Sequence, residues 1–201
     1  MQKLLIATKN KGKLQEFSDF LSDLPIRLVS LTDVGISDDV EEDGKTYEEN
    51  SQKKALFYAK KSGLPAIADD GGIEIAALNG APGVRSRRWI GYEASDEELT
   101  AHMKKVAVEL PESNRDAKFV TVVSFALPDG TAWSAKGEVA GIIAKKPLTK
   151  LLRGYPYRSF FYLPDIQKYY HEESLTKEEM KRFNHRLKAV RQLRQIILEN
   201  I

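Results

Sequence analysis

Short apolar runs alternate with helical periodicities along the first part of the chain. Residues 3–8 (KLLIAT) form an apolar run that predicts a buried strand. After Asn10, apolar residues recur on one face of a helix, and residues 26–30 (IRLVS) alternate as a strand does. The pattern therefore predicts a strand–helix–strand beginning.

Three further helices are marked by capping boxes, in which a Ser or Thr is followed three residues later by Glu. Thr46 predicts a helix that runs to about Lys61, Ser95 predicts a second, and Thr176 predicts a last, long helix. The expected core positions of this last helix are Met180, Phe183, Leu187, Val190, Leu193 and Ile197.

The remaining predicted strands are 65–68, 118–127, 131–140 and 159–163. The first of them ends at the run Asp69-Asp70-Gly71-Gly72, and Asp129-Gly130 between two others is a strong hairpin signal. Early alternation of strands and helices, followed by a long hairpin, predicts an α/β fold. We expect a mixed sheet with helices on its flanks and two lobes that face each other across a cleft.

Composition narrows the class of protein. With 201 residues, 42% hydrophobic and 30% charged, the chain can bury a core, and it contains neither repeats nor a linker, so we expect one domain over 1–201. It has no cysteine, and no apolar run approaches the roughly 20 residues that span a bilayer. The net charge of only +2 argues against non-specific nucleic-acid binding. We expect a cytoplasmic protein.

Two regions carry candidate phosphate and metal chemistry. The run Thr8-Lys9-Asn10-Lys11-Gly12-Lys13 lies at a strand-to-helix junction, where backbone N–H groups and the helix dipole attract anions. The acidic runs Glu41-Glu42-Asp43 and Asp69-Asp70 offer the oxygen ligands that Mg²⁺ takes. The alternatives are a simple Asn10 cap with solvated lysines, and acids that cap helices or lie in solvent.

Two other regions carry candidate base-binding chemistry. The loop Gly154-Tyr155-Pro156-Tyr157-Arg158 offers aromatic rings on which a base can stack. Asn184-His185-Arg186 falls in the predicted last helix, where at most two of the three side chains can line one cleft because successive residues point about 100° apart. Ordinary packing explains the aromatic loop equally well, and a lone histidine is usually structural.

In combination these motifs resemble a known enzyme family. The motifs are Thr8-x-Asn10-x-x-Lys13, Glu42-x-Gly44-x-Thr46-Tyr47-x-x-Asn50 with Lys54, Ala68-Asp69-Asp70-Gly71-Gly72, and Gly80-Ala81-Pro82-Gly83-Val84-x-Ser86-x-Arg88. Their order and spacing resemble the non-canonical purine nucleoside triphosphate pyrophosphohydrolases, the house-cleaning inosine/xanthosine triphosphatases. The resemblance implies an elongated, two-lobed α/β fold with the active site in the central cleft, in a homodimer. It also implies Mg²⁺-dependent cleavage of ITP, XTP or dITP into the monophosphate and pyrophosphate, with no membrane or nucleic-acid partner.

The resemblance also implies roles for individual residues. The triphosphate would be held by Thr8, Asn10, Lys13 and Lys54, and the metal by Glu42 and Asp70 with Asp69 beside them. Asp70 would activate water, and we count Lys13 and Lys54 with it as catalytic. The expected substrate-binding residues also include Gly71, Tyr155 in place of a base-stacking phenylalanine, Tyr157, Arg158, His185 and Arg186.

The base-binding half departs from the family pattern. Arg158 stands where the family usually has an acid, Asn184 where it has a serine and Met180 where it has a lysine. We therefore expect the same hydrolysis with an altered or broadened base preference. The alternatives are a pyrophosphatase for modified pyrimidine nucleotides and a nucleotide-binding protein that has lost turnover. A nucleic-acid role based on Arg85, Arg87 and Arg88 with Trp89 is the weakest.

Overall fold

The computed structural model describes residues 2–201, over which it contains seven strands and five α-helices. The strands are β1 (Lys3–Ile6), β2 (Arg27–Ser30), β3 (Ala66–Ile75), β4 (Asp116–Ala126), β5 (Ala132–Ile143), β6 (Phe161–Leu163) and β7 (Lys168–Tyr169). The helices are α1 (Lys11–Leu21), α2 (Tyr47–Ser62), α3 (Asp96–Glu109), α4 (Lys177–Phe183) and α5 (His185–Asn200).

The seven strands form one sheet in the order β2-β1-β3-β4-β5-β6-β7. Strand β1 is parallel to β2 and β3, whereas β6 is antiparallel to β5 and β7. The sheet is therefore mixed, and the predicted α/β class with flanking helices is confirmed.

The chain divides into two compact units. Unit 1 comprises the residues up to Asp70, Thr121–Gly137 and Arg186–Ile201, and unit 2 comprises Gly71–Val120 and Glu138–His185. Strands β3, β4 and β5 each contribute residues to both units. Neither unit is a continuous stretch of chain. The predicted arrangement of two lobes about a cleft stays a prediction.

In unit 1, both faces of the sheet are covered by helices. Successive residues of a strand point to opposite faces, and Leu4 packs with helices α1 and α5 whereas Leu5 packs with α2. The same alternation in β3 places Ile67 in the first of these two cores and Ala68 in the second. The same alternation determines which face of the sheet each of the acidic residues that follow in β3 points to.

In unit 2, one apolar core covers one face of the sheet. Ile73 and Ile75 of β3 pack with Leu99 and Met103 of α3 in this core. Residues that alternate with these core positions point to the opposite face of the sheet. There Lys118 forms ion pairs with two acids of neighbouring strands, Glu74 at 3.3 Å and Glu138 at 3.7 Å. A cavity of about 510 Å³ opens beside Glu74 and Lys118, and none of the predicted site residues lines it.

The capping boxes are confirmed at Thr46, Ser95 and Thr176, where each hydroxyl accepts a hydrogen bond from the N–H of the glutamate three residues later. The hairpin is also found, since β4 and β5 are neighbours joined by a tight turn at Asp129-Gly130. No helix within residues 2–201 is long and apolar enough to cross a membrane.

Three predicted segments are wrong. The strand predicted over 159–163 begins only at Phe161, because its first two residues belong to a 3-10 helix over Arg158–Phe160. The strand that was expected over 65–68 continues to Ile75, so both aspartates lie inside β3 rather than beyond its end. The chain continues extended through two glycines, and Gly72 lies so close to the Ser86 hydroxyl that a Cβ would overlap it. The expected single last helix is two helices, because Asn184 adopts an extended conformation (φ −63°, ψ 110°) between α4 and α5.

Candidate active site

The junction between β1 and α1 is built around the side chain of Asn10. Its Oδ1 accepts hydrogen bonds from the N–H groups of Gly12 (2.9 Å) and Lys13 (3.1 Å), and the Asn10 N–H donates to Thr8 Oγ1 at 3.2 Å. Asn10 is therefore a helix cap, but Lys13 is not the solvated lysine of the simpler interpretation, because it forms an ion pair with the buried Asp69. Phosphate binding at this junction stays a prediction. The cap also keeps Lys13 in the first turn, where the positive end of the helix dipole lies.

Asp69 is the centre of a buried ionic cluster. Its Oδ2 lies 3.0 Å from Lys13 Nζ and 2.9 Å from Arg186 Nη2, and Arg186 also forms an ion pair with Glu16 of α1. Burial alone would raise the pKa of Asp69, but Arg186, Lys13 and Lys54 hold that pKa well below its usual range. These cations favour the ionised form of Asp69, and its carboxylate in turn orients the side chains of Lys13 and Arg186.

Asp70 faces the opposite side of the strand, toward α2. Its Oδ2 accepts a hydrogen bond from Asn50 Nδ2 at 2.9 Å, and its backbone carbonyl accepts one from the Thr121 hydroxyl at 3.0 Å. Burial raises the pKa of Asp70, the charge of Glu42 raises it further, and Lys54 opposes both. The two adjacent acids therefore differ in character, since Asp70 accepts a proton more readily than Asp69.

Lys54 connects the acidic loop to this site. Its ammonium lies 2.6 Å from Glu42 Oε1, and only an eighth of its side chain is exposed. Burial alone would lower the pKa of Lys54, but the charges of Asp70, Glu42 and Asp69 together raise it. Lys54 therefore remains a cation between carboxylates.

The donor set suits a small, hard cation, but not as one cluster of three acids. Within residues 2–201 no three Asp, Glu or His side chains converge as metal ligands. Mg²⁺ usually takes one or two carboxylates and completes its shell with phosphates and water, so Glu42 and Asp70 on the α2 side fit it. Asp69 Oδ1 is buried and accepts no hydrogen bond from the residues that the structure describes. A water or cation would satisfy such an oxygen.

Three of the predicted base-binding residues gather around the ring of Tyr170 in unit 2. The Arg158 guanidinium lies 4.9 Å from the centre of that ring and 3.9 Å from the centre of the Tyr155 ring. The Tyr170 hydroxyl lies 3.1 Å from His185 Nδ1, and the His185 ring stacks on Phe119. Arg158 is buried here, so its side chain points inward rather than into solvent.

Two other predicted base-binding residues lie elsewhere. The Tyr157 hydroxyl donates a hydrogen bond to the Ser86 carbonyl at 2.6 Å, and its ring packs against Trp89, so its polar atom is already used in unit 2. Arg186 belongs to the Asp69 cluster of unit 1. The structure thus brings together two groups, one around the two aspartates and one around Tyr170.

A model of the Ham1 family matches residues 4–196 of this chain. The chain belongs to the Ham1 family. The family that the four motifs indicate is therefore confirmed.

Relatives of similar length support the Ham1 assignment. A dITP/XTP pyrophosphatase from Geobacter sulfurreducens is 41% identical over 165 residues, covering 82% of each protein. One from Haemophilus influenzae is 40% identical over 195 residues, covering 94% of this chain and 95% of the relative. The structure of a HAM1 protein from Coxiella burnetii matches with a TM-score of 0.83 at 35% identity, over 99% of this chain and 100% of that chain.

The sequence did not reveal four residues that the Ham1 structure places beside the site. Glu16 pairs with Arg186, Thr121 holds the backbone of Asp70, and Tyr170 contacts both Arg158 and His185. Asn50 was visible only as part of a motif, without a role. Each depends on a contact with a residue in another element, from 15 positions away for Tyr170 and His185 to 170 positions away for Glu16 and Arg186, so no local pattern could have shown it.

Proposed function

We propose that this protein hydrolyses dITP, XTP and ITP to the corresponding monophosphate and pyrophosphate, and so removes non-canonical purine nucleotides from the nucleotide pool. The observation that carries the proposal is the pair of cation–carboxylate contacts in unit 1, Lys13 with Asp69 and Lys54 with Glu42. The names of the relatives at about 40% identity support the same substrates.

The lysines and the capped helix would hold the triphosphate. Lys13 in the first turn of α1 adds its charge to the positive end of the helix, and Asn10 and Thr8 keep that turn in place. Lys54 supplies the second cation. Phosphate oxygens would compete with Asp69 and Glu42 for the two ammonium groups. Substrate binding would therefore weaken the ion pairs that these two acids form with Lys13 and Lys54.

Hydrolysis needs an oriented water and neutralised phosphate charge, without a covalent nucleophile. A divalent cation, which we take to be Mg²⁺, would be held by Glu42 and Asp70 with Asp69 nearby, and when bound it neutralises charge on the phosphates. Asp70 would take a proton from water as the water oxygen bonds to the α-phosphorus. The bond from that phosphorus to the bridging oxygen then breaks, and pyrophosphate leaves.

Three further features belong to the proposal. The base would contact Tyr155, Tyr157, Arg158, His185 and Arg186, with Gly71 in the substrate-binding set. We also propose that the protein is a homodimer and acts in the cytoplasm. Arg158 beside Tyr155 favours a second possibility, that the base preference is broader than the names of the relatives state.

Pyrophosphate release from dITP, XTP, ITP, GTP, ATP, UTP and CTP with Mg²⁺ tests the function, with Asp70→Asn as the inactive control. We expect release from the hypoxanthine and xanthine nucleotides and its loss in the control. Comparable rates with the standard purines would support the broadened preference. Release only from pyrimidine nucleotides, or binding without release, would contradict the proposal.

A further inference from the structure

Asn50 uses both ends of its side-chain amide to join two parts of the site. It is fully buried in the first turns of α2. Its Nδ2 donates to Asp70 Oδ2 at 2.9 Å, and its Oδ1 accepts from the Gly44 N–H at 2.8 Å. Because one end must donate and the other must accept, no other side chain of this size can make both bonds.

The loop that carries Glu42 is shaped to reach this amide. A Cβ on Gly44 would lie 2.6 Å from Asn50 Oδ1, so only glycine lets the loop backbone approach within hydrogen-bond distance. Gly44 follows Glu42 by two residues, and the hydrogen bond to Asn50 therefore fixes the base of the acidic loop. The direction of Glu42 depends on that anchor.

Asn50 and Lys54 act from the same face of α2. They are four residues apart, so their side chains lie one above the other on the helix. Asn50 holds the backbone of the loop and the carboxylate of Asp70, while Lys54 holds the carboxylate of Glu42 at 2.6 Å. One helical turn thus orients both acids that fit a divalent cation.

We propose that Asn50 is a positioning residue that sets Glu42 and Asp70 at the separation and orientation required for metal-assisted hydrolysis. This inference rests on the proposed function. Asn50 need not contact the substrate, because its effect passes through Asp70 and the Gly44 backbone. Residues that orient metal ligands usually change metal affinity or activity by about 10- to 100-fold when they are replaced.

Three variants separate the two bonds. Asn50→Ala removes both of them. Asn50→Asp has the same shape and still accepts from Gly44, but it cannot donate to Asp70. Gly44→Ala leaves Asn50 in place and pushes the loop away from its amide. The matched control is Ser51→Ala, the next residue of α2, which is equally buried but hydrogen-bonds to Ser124 and touches neither acid.

The measurements are the affinity for Mn²⁺ alone, followed by electron paramagnetic resonance of the free ion, and kcat and KM for XTP with Mg²⁺. For Asn50→Ala and Gly44→Ala we expect Mn²⁺ affinity to fall by about 10- to 100-fold. For all three variants we expect kcat to fall by a similar factor, with KM changed less than about threefold, because Lys13 and Lys54 are retained. Ser51→Ala should match the wild type in both measurements.

A purely structural role predicts a different result. If the variants melt at lower temperature but keep wild-type Mn²⁺ affinity and kcat per folded molecule, the inference is wrong. Asn50→Asp keeps the shape and the loop bond but places a second carboxylate beside Asp70, so its kcat is taken per folded molecule. An unchanged kcat in this variant would also overturn the inference. If the wild type does not hydrolyse XTP or dITP, the proposed function fails, while the Mn²⁺ affinities still decide the role of Asn50.

Discussion

Arg158 lies over the Tyr155 ring at 3.9 Å, almost without exposure to solvent. A desolvated cation–π contact of this kind contributes about 2 kcal/mol, so Arg158 holds Tyr155 in one orientation. Because the family resemblance implies an acid at this position, we expect Arg158→Asp to sharpen the preference for XTP over ATP. The ratio of the two kcat/KM values should rise by about tenfold or more.

A matched charge change tests whether this effect is local. Arg153 lies on the same loop with an exposed side chain, and Arg153→Asp should leave the XTP/ATP ratio unchanged. Equal ratios in the wild type and Arg158→Asp would show that Arg158 has no part in base preference.

His171 is a second buried residue with a predictable effect, here on stability. It is fully buried, its Nε2 has no hydrogen-bond partner within residues 2–201, and burial lowers its pKa. The unfolded state therefore binds the proton first as the pH falls. The contribution of His171 to stability is complete above its unfolded pKa of about 6.5 and decreases below it.

We expect urea unfolding to show this dependence as a loss of unfolding free energy between pH 7.5 and pH 5. The loss should be smaller in His171→Gln than in the wild type. His102→Gln, at a ring that is partly exposed against Trp89, is the control for replacing a histidine by glutamine. Parallel curves for His171→Gln and the wild type would contradict the assignment.

At the level of elements, β3 depends on Gly72. A Cβ there would overlap the Ser86 hydroxyl and the Gly83 carbonyl, and the second of these is backbone that cannot rotate away. Gly72→Ala should lower the unfolding free energy by about 1–3 kcal/mol, measured by urea denaturation. Glu74→Ala, two residues further along the strand with a partly exposed side chain, should change it by less than about 0.5 kcal/mol. Equal effects of the two substitutions would contradict this explanation.

The sequence predicted elements well where the signal is local. Thr46, Ser95 and Thr176 cap helices through bonds to residues three positions later, so a short pattern contains the whole interaction. The predicted end of β3 was wrong because glycines usually end strands. Gly72 instead lies inside the strand, where the absence of a Cβ leaves room for the Ser86 side chain. The break at Asn184 was missed because the apolar periodicity continues across it.

For the site, the sequence indicated the acids and lysines but not their grouping. Asp69 and Asp70 are adjacent and identical in type, so the sequence does not distinguish them. Because successive residues of a strand point to opposite faces, Asp69 contacts Lys13 and Arg186 whereas Asp70 contacts Asn50. This separation onto opposite faces requires both residues to lie inside β3, whereas the predicted strand ended before them. Whether these residues act as proposed remains a prediction.

At the level of the whole molecule, the two units share three strands. Unit 1 and unit 2 have separate cores, but β3, β4 and β5 run through both. Unfolding of either unit would remove about half of each of these three strands, so we expect one cooperative unfolding transition. Leu193→Ala in unit 1 and Met103→Ala in unit 2 should each shift that single transition, by about 2–5 kcal/mol.

Circular dichroism and tryptophan fluorescence during urea unfolding check this expectation, because both probes should report the same midpoint in each variant. Two separated transitions, or a variant that shifts only one probe, would show that the units unfold independently.

The discontinuity of unit 1 also bears on how a nascent chain acquires its structure. The candidate site residues Thr8, Asn10, Lys13, Glu42, Lys54, Asp69 and Asp70 all precede α5 in the sequence, so they leave the ribosome before it. On the face that carries Lys13 and Asp69, the core joins Leu4 and Phe17 to Val190, Leu193 and Ile197 of α5, and Arg186 emerges with that helix. Lys13 and Asp69 are therefore translated early but receive the core on their face of the sheet last, so a message truncated before α5 encodes these two residues without that core.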